Sequence, residues 1–176
     1  MRWRVYGERS LYDSEWISLR LVDVELPDGE RFEHHIVRIP EEAAAVIALD
    51  PERGVLLMRR HRFVVDRWGW ELPAGRVHPS EAPAEAAARE TLEETGWKPG
   101  PLRLLFTYHP LIGVCDQRFH VFLAEGAEHL RDPDGIETDE VAWVPLPEVR
   151  ELIRAGEISD GLSLAALLFL LAFGPQ

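Results

Sequence analysis

The feature that most restricts how this chain can fold is a stretch with a marked beginning and end, Gly75–Trp97, which reads GRVHPSEAPAEAAARETLEETGW. Ser80 or Glu81 is suited to cap a helix there, and Pro83 stands in the first turn, where its missing N–H does no harm. Gly96, followed by Pro99, marks the end. Ala86, Ala87, Ala88 and Leu92 favour helix in between. Glu90 and Glu94 are four residues apart and point to the same side. Two carboxylates converging at that spacing repel unless something positive sits between them. The plain reading is a solvated acidic face with Arg89 and Glu93 as an ordinary i, i+4 pair.

The longer pattern decides between these readings. Gly75, then Glu81 after five residues, then after seven more Arg89-Glu90-x-x-Glu93-Glu94-x-Gly96, resembles the signature box of the Nudix hydrolases, with all seven fixed positions filled. Thr91 departs from the family preference for an aliphatic residue facing the core, and its methyl is expected to pack there. The resemblance assigns Glu90, Glu94 and the backbone carbonyl of Ala74 as ligands of a divalent metal, with Glu93 as a further candidate ligand. Arg89 then holds Glu93 or a neighbouring carboxylate in place. Mg²⁺ suits such a set because it takes hard oxygen ligands in octahedral geometry and keeps several waters; Mn²⁺ is the substitute. A cation held there is expected to neutralise a diphosphate and to orient water for attack on phosphorus.

Composition narrows the partners. The chain has 176 residues, 46% hydrophobic, which suits a globular domain with a sizeable core. Its net charge of -12, from 31 acidic against 19 basic residues, is the reverse of what a nucleic-acid backbone attracts. Cys115 is the single cysteine, so no internal disulfide forms and a cytoplasmic setting is expected. Arg2, Arg4 and Glu8 interrupt any N-terminal apolar run. Leu162–Phe173 is apolar over 12 residues, too short to span a bilayer and suited to a buried helix.

Residues 1–39 read as strands. Val22, Val24 and Leu26 alternate with Asp23 and Glu25, and Pro27-Asp28-Gly29 turns the chain into Arg31–Ile39. His34 and His35 are adjacent and so fall on opposite faces, a poor metal pair. Ala43–Asp50 and Gly54–Arg60 form two more strands around the Pro51–Gly54 turn. Arg59, Arg60, His61 and Arg62 are a basic island in an acidic chain. Arg62 is favoured there as a fork for phosphate, against the alternative that the island only solubilises a strand end. Trp68 or Trp70 is a candidate to stack on a base, although large aromatics more often fill cores.

Arg59-x-x-Arg62 with Trp70-Glu71-Leu72-Pro73-Ala74-Gly75 is similar to the approach to the box in ADP-ribose pyrophosphatases, which places Glu71 near the metal. Beyond the helix, Leu102–Tyr108 and Arg118–Ala124 are strands around the loop His109–Gln117. Pro110 occupies the place of a proline characteristic of ADP-ribose-type members, whereas Gln117 stands where that group ends its loop in glutamate. Cys115 has no base fixed near it and makes a poor nucleophile. Glu125–Glu140 reads as loop, and the family often takes its general base from this region: Glu137 first, Glu140 second, Glu93 also a candidate. Val141–Val144 is the last strand, Pro147–Ala155 a short helix ended by Gly156, and Ser159 or Asp160 caps the final helix.

The expected architecture is α/β: a Nudix fold, with a mixed β-sheet sandwiched between helices and an N-terminal antiparallel β extension. Residues 1–39 are the extension, which by resemblance helps form a homodimer, and 40–176 are the hydrolase domain. The expected reaction is Mg²⁺-dependent hydrolysis of a nucleoside diphosphate linked to another moiety, with ADP-ribose yielding AMP and ribose 5-phosphate. GDP-mannose or NADH are alternative substrates, and a non-hydrolysing ADP-ribose sensor is the alternative of another class. No nucleic-acid or membrane partner is expected.

Overall fold

The computed structural model describes residues 2–135 and 137–175. Its centre is strand β4 (Ala43–Asp50), whose AAAVIALD run has too few polar positions to face water on either side. Ala44, Val46 and Ala48 turn to one face, and Ala45 and Ile47 to the other, all fully buried. Helix α1 (Pro83–Thr95) covers the first face, laying Ala86 and Ala87 against those residues together with Leu56, Phe122 and Ala124. Helices α2 (Leu146–Ala155) and α3 (Gly161–Phe173) cover the second through Val149, Leu162, Ala166, Leu167 and Leu170. The apolar run near the C-terminus is therefore a helix on the core, and no helix among the described residues is long and apolar enough to cross a membrane.

Around β4 the sheet grows in both directions. β5 (Gly54–Arg62) returns antiparallel through the 51–53 turn, and β12 (Thr138–Val144) pairs with its outer side. On the other flank β10 (Phe119–Glu125) runs parallel to β4, and β9 (Leu102–Tyr108) follows antiparallel. Two short strands extend it near the helix: β6 (Arg67–Glu71) pairs with β5, and β7 (Ala74–Arg76) pairs with β4. One parallel pair among antiparallel ones makes the sheet mixed, and with helices on both faces the α/β sandwich is the expected one. β8 (Trp97–Pro99) and β11 (Ala127–His129) form a small ladder of their own. The N-terminal extension is an antiparallel meander of β1 (Arg4–Asp13), β2 (Ser18–Glu25) and β3 (Arg31–Arg38). β1 is exposed at every position.

Three local expectations change. The residue at the start of α1 is Ala82, not Ser80 or Glu81; Glu85 reaches back to accept from the Ala82 N–H at 2.8 Å. Glu81 is withdrawn from that task because its carboxylate accepts from the His78 N–H at 2.9 Å and from Arg89 at 2.7 Å. The stretch 125–140 is not all loop, because residues 127–129 pair with β8 and β12 begins at Thr138, so Glu140 stands on a strand opposite Arg59. Thr91 meets its burial with more than its methyl, since its hydroxyl donates to the Ala87 carbonyl at 2.7 Å. The other signals stand as read: Gly96 takes a left-handed φ of 76° at the end of α1, and Asp160 caps α3 by accepting from the Ser163 N–H at 2.8 Å.

Candidate active site

One guanidinium organises the acidic helix. Arg89 Nη2 donates to Glu81 Oε1 at 2.7 Å and to the Arg76 carbonyl at 3.0 Å, and its Nη1 donates to Glu90 Oε1 at 2.7 Å and Glu93 Oε2 at 3.1 Å. Three carboxylates and the β7 backbone are thus tied to one side chain, with the planar fork that lysine lacks. Arg89 holds the Glu81 carboxyl down at about 2, and Glu81 in turn raises Arg89 above the ordinary arginine range. Glu90 leans over β7, where Gly75 leaves room for it: a β-carbon there would come within 2.2 Å of Glu90 Oε1.

Glu94 lies deeper. Its Oε2 accepts the Ala74 N–H at 2.9 Å and its Oε1 accepts Arg60 Nη1 at 2.7 Å. Burial pushes this carboxyl up to about 7, against the opposing pull of the Ala74 hydrogen bond and the Arg60 charge. Arg60 is itself 7% exposed, and its Nη2 donates to Glu137. Thr138 completes the link by donating to the Glu94 carbonyl at 3.0 Å. Glu137 borders a cleft of about 630 Å³ lined by Arg60, Arg62, Phe63, Trp68 and Asp139. Glu140 instead borders a separate groove of about 670 Å³ beside Trp97, His129 and Asp132. Arg60 lines the arginine cleft and, through its bond to Glu94, joins that cleft to the carboxylates of α1.

Among the described residues, no three His, Cys, Asp or Glu side chains already converge on one point. The carboxylates of α1 are held by arginines and backbone N–H groups instead. The donors at hand, Glu90, Glu93, Glu94 and the backbone at Ala74, are all hard oxygens, which fits Mg²⁺ or Mn²⁺ better than a softer metal.

The residues read as substrate contacts separate into distinct environments. Arg62 lies bidentate on Glu71, with Nη2 to Oε2 at 2.6 Å and Nε to Oε1 at 2.9 Å, and Glu71 is only 4% exposed. The Trp70 ring packs against the core beneath α2 and α3, while the backbone N–H of residue 70 donates to the Glu157 carbonyl at 2.8 Å. Trp68 is the open aromatic, 47% exposed, with the Arg59 guanidinium 5.2 Å from its ring and His61 beside it. Pro110 is in the 109–118 loop, outside the residues that line the arginine cleft.

That loop is pinned to the N-terminal sheet. The Val37 N–H donates to the Val114 carbonyl at 2.7 Å, Arg38 Nη1 to Asp116 Oδ2 at 2.7 Å, and His34 bonds the Gly113 carbonyl at 2.9 Å. In the sequence Arg38 carries no signal of its own, and Arg60 stands only as one member of the basic island. For Arg60 a signal was present: Leu56, Met58 and Arg60 share one face of β5 by period two, and Leu56 packs on α1.

Comparison with known proteins identifies the family and the fold. A NUDIX domain model matches residues 40–165. A CMP-5'-(N-acetyl-N-hydroxy-3-aminopropyl)phosphonate hydrolase of Streptomyces rubellomurinus is 45% identical over 175 residues, covering 99% of this chain and 84% of that protein. An ADP-ribose pyrophosphatase of Bacillus subtilis is 31% identical over 170 residues, covering 95% of this chain and 91% of the other. A crystal structure described as an ADP compounds hydrolase matches with a TM-score of 0.86 over 98% of this chain and 94% of that one; at 18% identity this is a likeness of fold. A domain match across most of the chain, together with relatives of this similarity, means that the chain belongs to the NUDIX-domain family as an ADP-ribose pyrophosphatase-like hydrolase.

Proposed function

We propose that the protein hydrolyses the pyrophosphate bond of a nucleoside diphosphate joined to a second moiety, with Mg²⁺ as its metal and Mn²⁺ as a substitute. ADP-ribose is the first substrate, giving AMP and ribose 5-phosphate. The observation that carries this reading is the Arg89 hub, which gathers Glu81, Glu90 and Glu93 beside the partly buried Glu94. Glu90, Glu94 and the Ala74 carbonyl hold the metal, with Glu93 as a further ligand, and Arg89 orients them. The metal supplies charge neutralisation at the diphosphate and a more acidic water. Glu137, exposed at the cleft, takes the proton of the attacking water, with Glu140 second and Glu93 as a further candidate base. Water oxygen bonds to one phosphorus, the bridging oxygen leaves with the other phosphate, and two monophosphates result. Trp68 receives the base, Arg62 forms part of the cleft wall, Trp70 and Glu71 line the adjoining concavity beside Arg67 and Asp160, and Pro110 belongs to the loop that reads the second moiety.

A second reading keeps the chemistry and changes the substrate to a cytidine monophosphate linked to a phosphonate. The 45% identity over nearly the whole chain to a hydrolase of that description favours it. We further propose that residues 1–39 dimerise the 40–176 body, since β1 exposes Val5, Tyr6, Leu11 and Tyr12, and that the free Cys115 suits a cytoplasmic setting.

A Mg²⁺-dependent product screen over ADP-ribose, a CMP-linked phosphonate, GDP-mannose and NADH tests the proposal. A preference for ADP-ribose supports the first reading, and a preference for the CMP compound replaces it with the second. Tight ADP-ribose binding without product from a folded protein overturns both in favour of a sensor. Sedimentation velocity of the chain with and without residues 1–39 tests the dimer.

A further inference from the structure

Arg60 is placed where neither solubility nor simple packing accounts for it. Its guanidinium sits between two carboxylates from different elements, Glu94 of α1 and Glu137 of the loop before β12. Its Nε is buried with no hydrogen-bond partner. A buried N–H left without an acceptor is unfavourable and calls for an explanation. The neighbouring Arg62 does not share this position, being held bidentate by Glu71.

We propose that Arg60 is the protein's internal counter-cation for the metal-free site. It keeps Glu94 and Glu137 paired, must release Glu94 when that carboxylate serves a divalent cation, and then turns its fork, Nε included, to the diphosphate. This rests on the reading of Glu94 as a metal ligand. Two positive groups sharing one carboxylate in a poorly solvated place repel strongly. The free enzyme therefore binds the cation weakly, and a bound diphosphate, whose charge Arg60 can take up, strengthens it. The coupling is reciprocal: metal and diphosphate raise each other's affinity by one factor, part of which belongs to Arg60.

The test measures Mn²⁺ binding by electron paramagnetic resonance at pH 8, with and without α,β-methylene-ADP, in the full chain. Arg60→Gln is expected to bind Mn²⁺ about tenfold tighter than wild type without nucleotide, and to show a coupling factor about tenfold smaller. Arg154→Gln, an equal loss of charge on the exposed face of α2, is expected to stay within about twofold of wild type. If Arg60→Gln does not fold, Glu137→Gln decides: with its second carboxylate removed, Arg60 concentrates on Glu94, and nucleotide-free Mn²⁺ binding weakens severalfold. Arg60→Gln binding Mn²⁺ no tighter than wild type, or Glu137→Gln binding it as well as wild type, overturns the proposal. Wild type that binds no Mn²⁺, or binds it equally after Glu90→Gln, overturns the metal reading itself, which separates the two failures.

Discussion

The α-carbon of Gly75 lies so close to the carboxyl group of Glu90 that a β-carbon on residue 75 would stand 1.9 Å from Glu90 Cδ. Gly75 does not hold a left-handed φ, so the demand for glycine is one of space. The strand ending at residue 76 and the helix beginning at residue 83 approach each other through this gap, which keeps Glu90 over the strand end. Gly75→Ala should therefore fold but displace Glu90, lowering kcat about 10- to 100-fold and weakening Mn²⁺ binding. Circular dichroism, turnover and metal titration on one preparation check it; unchanged Mn²⁺ affinity would separate Glu90 from the metal.

Arg89→Met keeps the apolar stem and removes the fork that holds Glu81, Glu90 and Glu93. We expect kcat to fall about 10- to 100-fold, with Arg89→Lys recovering little because a point charge cannot serve three carboxylates at once. Full activity in Arg89→Lys would show that only the charge matters.

The two tryptophans should part in opposite directions. Trp68→Ala removes an exposed ring at the cleft and should raise KM about tenfold, in line with roughly 1–3 kcal/mol for base stacking, without changing the melting temperature. Trp70→Ala opens the core under α2 and α3 and should cost about 3 kcal/mol of stability. Urea titration beside steady-state kinetics separates them, and a KM effect confined to Trp70→Ala would reverse the assignment.

Burial raises the Glu94 carboxyl from 4.5 to about 7 in the folded protein. The folded state thus binds this proton more tightly than the unfolded state. The associated stability is present below about pH 4.5 and is lost as pH rises through about 7. In chelated protein the melting temperature should carry a falling component between pH 5 and 7 that Glu94→Gln removes. Because a metal competes with the same proton, Mn²⁺ affinity should rise about tenfold from pH 6 to pH 8. Identical affinity at both values would argue against Glu94 as a ligand.

Arg38 joins β1 to the 109–118 loop, with Nη2 on Glu8 at 2.8 Å and Nη1 on Asp116 at 2.7 Å. Both bonds are well exposed, so Arg38→Ala should change stability by less than about 1 kcal/mol. With one of the loop's ties to the sheet removed, KM should rise severalfold while kcat stays within about twofold. A fall in kcat alone would place the effect at the chemical step and not at recognition.

What the sequence determined by itself is local. The helix with Glu90 and Glu94 on one side follows from a four-residue spacing between a proline and a glycine, and the AAAVIALD strand follows from having no polar face. These signals lie within one element, so no fold is needed to read them. The choice among Arg59, Arg60 and Arg62 is different in kind. Three arginines within four residues look alike in sequence, yet one stacks near Trp68, one is buried against Glu94, and one is clamped on Glu71. Glu137 and Glu140, three residues apart, border different concavities because β12 begins between them. Each outcome depends on which face a strand turns toward a helix more than thirty residues away, and only the packing of α1 on the sheet fixes that.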